Sequence, residues 1–409
     1  MRIIPCMLMN KTGVVIMNKD LIFAVEHTPY YLDYLKKTTS INDLPIITKE
    51  LVSCNYNSFI TNTLQSKELI SVMTSGSTGM PLKILWAPLD YCNSLAELWK
   101  ERKKYGVYPN DKFVSCHAMY YNNQIEIHNK AIIYKNNLSL SKLSLNKSVY
   151  SYYFHLIESF RPRFMMLPPS FVYGLISFLK DEELKLPDSI TLIELTGEKC
   201  SEELYEWFVD NYPNYQWNIM YGMQEFNGIA YGSIDGLTVC EKNVIVKIIN
   251  KDGELAKDCE EGNIIVTGLK NSVFPLINYK TEDRGYFDST GKLHITRSRS
   301  NDSFICNGNE FDGAVFWTVI FHLMQHYKIN ILQFQVKALR DHLNFFLVLK
   351  DKTSYSVDCL SNIISDFLMS RFKIQTCVSV LIVDSISAEC GKNKTKFFIN
   401  EDSIEGGKI

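Results

Sequence analysis

At 409 residues, with 46% hydrophobic and 22% charged residues, the chain has a globular composition and is long enough for two or three domains. Its 43 basic and 45 acidic residues leave a net charge of −2, which argues against nucleic acid or an anionic membrane as the main partner. The 11 cysteines are scattered singly from Cys6 to Cys390; no C-x-x-C occurs, so neither a disulfide framework nor a zinc ribbon is indicated, and reduced thiols in a cytoplasmic protein are expected.

No apolar run reaches the length of a membrane span. The opening MRIIPCMLMNKTGVVIMNK is interrupted by Asn10 and Lys11 and has no small-residue cleavage site after it. It reads as a short strand or a disordered lead-in rather than a signal peptide, with Met17 as an alternative start. Residues 20–37 read as a helix broken or kinked near Pro29, and Leu44–Lys49 as a connector.

The stretch Ser71–Leu85 stands out. Its centre, Thr74-Ser75-Gly76-Ser77-Thr78-Gly79, is six small residues between apolar flanks. The pattern predicts strand, tight loop, strand. Glycines let backbone N–H groups converge and hydroxyls add donors, which suits a polyphosphate; an ordinary Ser/Gly loop has the same composition. It is not the G-x-x-x-x-G-K-[ST] loop, because no Lys-Ser or Lys-Thr follows Gly79.

Asp90 is placed to cap a helix running to Tyr105, with Leu95, Leu98 and Trp99 on one face. Phe113–Cys116 reads as a strand, followed by the polar and aromatic cluster His117–Asn123. From about 148 the pattern alternates: helix 148–160, strand 164–167, helix 171–180, strand 190–195, helix 201–212, strand 216–220. Such alternation means parallel strands covered by helices. Ligands bind beyond the carboxyl ends of such strands. Pro168–Ser170, Thr196-Gly197-Glu198 and Tyr221–Glu225 all fall there.

Beyond Leu237 the β-branched runs 244–249 and 263–267 predict an antiparallel, barrel-like part. A polar segment, Tyr279–Gly285, follows. Residues 298–310 are rich in linker residues and mark a domain boundary. The last hundred residues read as a compact α+β unit: helix 315–326, strands 331–336 and 345–349, helix 359–368 and strand 380–383. His322 and His326 have metal spacing, but no third ligand is evident and they read as a helix face. The chain then runs into the basic segment Gly391–Lys396.

This order of segments resembles the adenylate-forming (acyl/aryl-CoA ligase) superfamily, and within it the phenylacetate–CoA ligase-like branch. Thr74–Pro81 is similar to the family's phosphate loop. Tyr221–Glu225 is similar to its Tyr-Gly-x-Thr-Glu, and Tyr279–Asp283 to its Tyr-x-Thr-Gly-Asp. Ser298–Asp302 through Gly308 is similar to its hinge, and Gly391-Lys392 to its C-terminal Gly-Lys. Val25–Tyr31 and Leu44-Pro45 also look like this branch. The resemblance spans roughly residues 20–397. The chain departs from the family at Gln224 (threonine), Asn278 (arginine), Glu282 (glycine), Ser298 (glycine) and Asn301 (aspartate).

The resemblance implies an α/β fold. Residues 1–298 would form a large domain of parallel α/β sheets plus a β-barrel-like part, 299–308 a hinge, and 309–409 a small mobile α+β domain. It implies ATP-dependent activation of a carboxylic acid, aryl or small and polar, as acyl-AMP with release of pyrophosphate. A thiol, from CoA or the phosphopantetheine of a separate carrier protein, would then displace AMP. Attack of an anion on a phosphate makes positioning and charge neutralisation the main demands.

By the same resemblance Thr74, Ser75, Gly76, Ser77, Thr78 and Gly79 would hold phosphates, with Lys83 a weaker candidate. Glu225 would hold Mg²⁺. Asp283 would take the ribose hydroxyls and Arg299 the ribose or a phosphate. Gly197, Glu198, Tyr221, Gly222 and Gln224 would line the nucleotide. Lys392 would bridge the carboxylate and the α-phosphate. His117, Tyr120, Tyr121, Asn122, Asn123, Phe226 and Gly228 would form the acid pocket, although aromatics of this kind are as readily core. Two other readings stay open: transfer of the acyl group to an amine, and a degenerate nucleotide-binding protein without turnover.

Overall fold

A computed structural model describes residues 7–10, 13–16, 19–37, 43–62, 68–74, 82–117, 131–142, 145, 147–297, 303–313, 315–339, 342–351, 355–384, 386 and 397–401. The chain divides into two units, 1–104 with 219–299 and 105–218 with 300–409. None of the described helices is long and apolar enough to cross a membrane.

In the first unit the predicted helix over 20–37 is two helices, Lys19–Glu26 and Pro29–Leu35. Pro29 lacks an N–H and suits a first helical turn, so the disruption expected near it is a full break, at which the second helix opens. Tyr31, fully buried, ties this segment to a distant one. Its hydroxyl donates to Pro275 O at 3.0 Å and accepts from Ile277 N at 3.1 Å.

The expected strand–loop–strand is present. Ile70–Met73 pairs antiparallel with Lys83–Trp86, Ile70 opposite Trp86 and Met73 opposite Lys83. Thr74 closes the neck of this hairpin: its N–H donates to Leu82 O at 2.9 Å, and its hydroxyl accepts from Leu82 N at 2.8 Å.

Asp90 does not cap the next helix. That helix starts at Pro88 and breaks at Leu95, giving Pro88–Ser94 and Ala96–Lys103. Proline again sets the start, and Asp90 falls in the first turn. Its carboxylate accepts instead from Ser272 N (3.0 Å) and Ser272 Oγ (2.5 Å).

An antiparallel run completes this unit. Val244–Ile249, Gly262–Gly268, Tyr279–Phe287 and Leu293–Arg297 pair in succession, then Gly236–Val239, then Asn227–Ser233. The segment 279–285, read from sequence as merely polar, is part of a nine-residue strand. Its buried positions alternate: Tyr279, Thr281, Asp283 and Gly285. Polar residues are tolerated there because each finds a partner, for example Thr281 Oγ1 donating to Ile264 O at 3.0 Å. The strand bulges at its centre: Lys280 opposes Ile265 and Arg284 opposes Asn263, so three residues face Ile264 alone.

In the second unit Leu192–Thr196, Phe164–Leu167, Phe113–His117 and Asn137–Ser141 lie side by side, all parallel. Helices Lys147–Phe160, Pro169–Asp181 and Glu202–Asn211 cover them. This is the α/β alternation read from the sequence. Ser201 caps the third helix, its hydroxyl accepting from Leu204 N at 3.3 Å. The strand Asn137–Ser141 and the edge strand Ala131–Tyr134 that pairs with it were not foreseen. Ala131–Tyr134 is only four residues long and turns into its partner through Lys135 at φ +52°, a residue type that seldom signals a turn.

Inside the linker-like stretch, Ser303–Cys306 and Asn309–Asp312 form a hairpin. Its turn, Asn307-Gly308, takes φ of +50° and +76°, as a two-residue hairpin loop requires. The α+β expectation for the C-terminal part holds. Its sheet runs Cys377–Ile382, His342–Leu349, Ile331–Leu339, Phe398–Asn400, with helices Val315–His326 and Val357–Phe372. Tyr173 of the Pro169–Asp181 helix reaches this part, donating from its hydroxyl to Ile331 O at 3.0 Å.

Candidate active site

The strand Gln216–Met223 does not stop at Met220, as expected, but carries Tyr221 and Gly222 within it. It turns back through Gln224-Glu225-Phe226 into Asn227–Ser233. The pairing slips between Tyr221 and Gly222, and Asn227 sits at φ +60°. A Cβ on Gly222 would lie 2.5 Å from Asn227 O, so only glycine fits this tight return. The turn leaves Gln224 exposed and sends Glu225 inward, where it is only 3% exposed.

Two hydrogen bonds join this turn to the bulged strand Tyr279–Phe287. The Tyr221 hydroxyl donates to Asp283 Oδ2 at 2.6 Å. The Tyr279 hydroxyl donates to Glu225 Oε1 at 3.2 Å. Asp283 is buried, and its N–H donates to Thr281 Oγ1 at 3.2 Å. Two buried carboxylates, both chosen from sequence, are thus brought to one place by the partners 221–283 and 225–279. Buried carboxylates are costly unless paired, and each of these two accepts from a tyrosine hydroxyl.

A narrow cleft beside Glu225 is lined by Trp86, Phe226, Asn243, Asn271 and Phe274. It connects Glu225 with the second strand of the small-residue hairpin. Among the described residues no set of three or more His, Cys, Asp or Glu could hold a metal. A single buried carboxylate fits Mg²⁺, which binds through one or two carboxylates, substrate phosphates and waters rather than in an all-protein cage.

Phe226 and Gly228, expected in the acid pocket, are buried. Phe226 packs edge-on against Tyr279, ring centroids 5.8 Å apart. Gly228 lies against Leu98, whose Cγ would be 2.6 Å from an added Cβ. Asn243 Nδ2 donates to both of their carbonyls, at 2.8 and 2.6 Å. Lys83 is exposed at the start of its strand.

In the second unit, Gly197 follows the strand Leu192–Thr196 at φ +81° with open space around it, and Glu198 is half-buried. Burial pushes the Cys116 thiol up to about 12; Lys142 pulls it down and Glu198 pushes it up. Glu198, Cys116 and Lys142 are therefore electrostatic neighbours at the carboxyl ends of parallel strands. His117 ends its strand opposite Ser141. His322 and His326 lie tilted against each other on a helix face, with ring centroids 4.7 Å apart, and His322 is stacked on Phe367 at 3.9 Å. Ser75, Gly76, Ser77, Thr78, Gly79, Tyr120, Tyr121, Asn122, Asn123, Arg299 and Lys392 lie outside the described residues.

Sequence reasoning placed Tyr279 and Thr281 within a motif but gave them no role, and it gave none to Trp86. Reading 279–287 as a strand would have set the first two beside Asp283, since period two puts Tyr279, Thr281 and Asp283 on one face. The departures at 278 and 282 also acquire a physical meaning. Both Asn278 (φ +51°) and Glu282 (φ +69°) occupy the left-handed region. Asparagine tolerates it; glutamate does not readily, and the resembling family has glycine at the second position.

A family model described as AMP-binding enzyme matches residues 28–274, more than half of the chain. Phenylacetate-coenzyme A ligase of Escherichia coli (strain K12) is 22% identical over 319 residues, covering 73% of this chain and 71% of that protein. Protein CapK of Staphylococcus aureus is 23% identical over 293 residues, covering 63% of this chain and 58% of its own length. Among solved structures, 2-hydroxyisobutyryl-CoA ligase in the postadenylation state, in complex with R3-HIB-AMP, matches with a TM-score of 0.70. That match is at 11% identity and covers 95% of this chain and 88% of that one.

Proposed function

The chain belongs to the AMP-binding enzyme family, and from that premise we propose that it activates a carboxylic acid with ATP and transfers the acyl group to a thiol. The acid attacks the α-phosphate, giving acyl-AMP and pyrophosphate. The thiol of CoA, or of a phosphopantetheine on a separate carrier protein, then displaces AMP. The acid is aryl or small and polar.

One observation carries this reading: the reciprocal bonds Tyr221–Asp283 and Tyr279–Glu225. They join the two sequence segments that the resemblance assigns to one nucleotide. Asp283 would accept from the ribose hydroxyls, with the Tyr221 hydroxyl fixing its second oxygen. Glu225 would hold Mg²⁺, which supplies charge neutralisation on the phosphates when bound. The small-residue loop, from Thr74 to Gly79, would take the β- and γ-phosphates. Lys392 and Arg299 would come from the C-terminal side of the chain, with 299–308 acting as hinge between a large domain, 1–298, and a small one, 309–409.

The test is carboxylate-dependent ATP–pyrophosphate exchange over a panel of aryl, fatty and amino acids. Exchange with at least one acid is expected. Addition of CoA, a carrier protein or amines then separates thiol from amine acceptors. Silence over the whole panel would overturn the reading in favour of nucleotide binding without turnover.

A further inference from the structure

Within the second unit a cavity of about 380 Å³ opens between three helices. Sites for small molecules run from about 300 to 1,000 Å³, so the space suits one. Spacing along two of the helices builds its walls. Glu203, Glu206, Trp207, Asp210 and Asn211 recur every three or four positions on Glu202–Asn211 and share one face. Phe321, His322 and His326 do the same on Val315–His326, and Phe367 of Val357–Phe372 adds the third side.

The walls differ in chemistry. The first carries the carboxylates of Glu203, Glu206 and Asp210, none of which makes a hydrogen bond or ion pair with a described residue. The second is made of rings. Phe321 packs against Trp207 of the first wall, with centroids 6.0 Å apart, and His322 stacks on Phe367 at 3.9 Å. Burial and then His326 lower the His322 pKa, so at neutral pH this ring is uncharged and serves as one more aromatic surface.

The first wall already takes one ammonium. Lys180, from Pro169–Asp181, sets its Nζ 5.5 Å from the Trp207 ring centroid and donates to Asn211 Oδ1 at 3.1 Å. A cation within about 6 Å of an indole centroid is attracted to it, so the indole and amide that line the cavity hold a cation in this structure, supplied by the chain itself. Glu203, Glu206 and Asp210 against Lys180 leave the lining negative in excess. A concave surface of one sign concentrates cations, and aromatic walls favour those with an apolar body.

We propose that this cavity binds a small organic cation, an amine or quaternary ammonium compound, with its charge toward Glu203, Glu206 and Asp210 and its apolar part against Trp207, Phe321 and Phe367. None of these residues belongs to the group formed by Tyr221, Glu225, Tyr279 and Asp283, and the assignment does not depend on the acid–thiol ligase reading. A bare metal ion does not fit the lining: among the described residues no three His, Cys, Asp or Glu are grouped to hold one.

Calorimetric titration of the full chain at physiological ionic strength tests it. The probes are phenethylamine, choline, phenethyl alcohol as the uncharged counterpart, and Mg²⁺. Phenethylamine or choline should bind, and the alcohol should bind about tenfold more weakly or less. Glu206→Gln with Asp210→Asn should weaken the amine about tenfold, and Trp207→Leu about threefold or more. Thermal melting checks that each variant is folded. Glu206 and Asp210 are exposed, so the carboxamide pair decides the matter if Trp207→Leu fails to fold. Failure of both amines to bind would overturn the proposal. So would equal binding of the alcohol, or unchanged amine binding by the carboxamide variant. Displacement of the amine by Mg²⁺ at equal concentration would also overturn it, marking a counter-ion surface only.

Discussion

The Tyr221 hydroxyl lies 2.6 Å from Asp283 Oδ2, so a tyrosine from one sequence segment orients a buried carboxylate from another, 62 residues on. Tyr221→Phe keeps the ring and deletes this donor. The variant should lose about 1–3 kcal/mol of stability from the exposed need of Asp283. It should also raise the ATP concentration needed for half-maximal pyrophosphate exchange by about tenfold, since ribose would meet a mobile carboxylate. An unchanged ATP dependence with lowered stability would make the bond structural only.

Glu282 at φ +69° precedes Asp283 in the bulge. Restoring glycine relieves a conformation that costs a side chain about 1–2 kcal/mol, less the entropy glycine adds to the unfolded chain. Glu282→Gly should therefore stabilise the fold by about 1 kcal/mol, read as a higher urea midpoint at constant slope. The opposite change, Gly222→Ala, puts a methyl 2.5 Å from Asn227 O. It should cost about 1–3 kcal/mol and disturb Glu225 with it. Equal stability of the wild-type and Gly222→Ala proteins would show that the turn is not tight.

His322 has its pKa lowered by burial and then by His326. The native state thus binds fewer protons than the unfolded chain, whose histidine titrates near 6.5. This contribution to stability is complete above that value and is lost as pH falls through 6.5 toward the depressed native pKa. Melting temperatures from pH 8 to 5 should show a fall that His322→Phe removes. An identical pH profile in that variant would assign the fall to other groups.

Lys392→Ala should slow adenylate formation by about 10²–10³ and spare transfer from preformed acyl-AMP to the thiol. Equal losses in both half-reactions would contradict a role confined to the first. Ser75→Ala with Thr78→Ala should weaken ATP and slow pyrophosphate release; no effect on either would remove the loop from the phosphate site.

The alternation of strands and helices from Lys147 to Asn211 was legible in the sequence because period and length decide such elements locally. The hairpin Ile70–Met73/Lys83–Trp86 was legible for the same reason: apolar runs flank small residues. Glu225 and Asp283 could be picked out, but only through resemblance to a family, since an isolated glutamate or aspartate after a strand has no local signature. The tertiary structure alone decided how they are held. Tyr279 reaches Glu225 across 54 positions of sequence and Tyr221 reaches Asp283 across 62. Such pairs depend on which strands become neighbours, which no local pattern records. The polar strand Tyr279–Phe287 was hidden for a related reason. Its inward positions carry hydroxyls and a carboxylate, satisfied by partners far along the chain, so the alternation of hydrophobicity that announces a strand never appears.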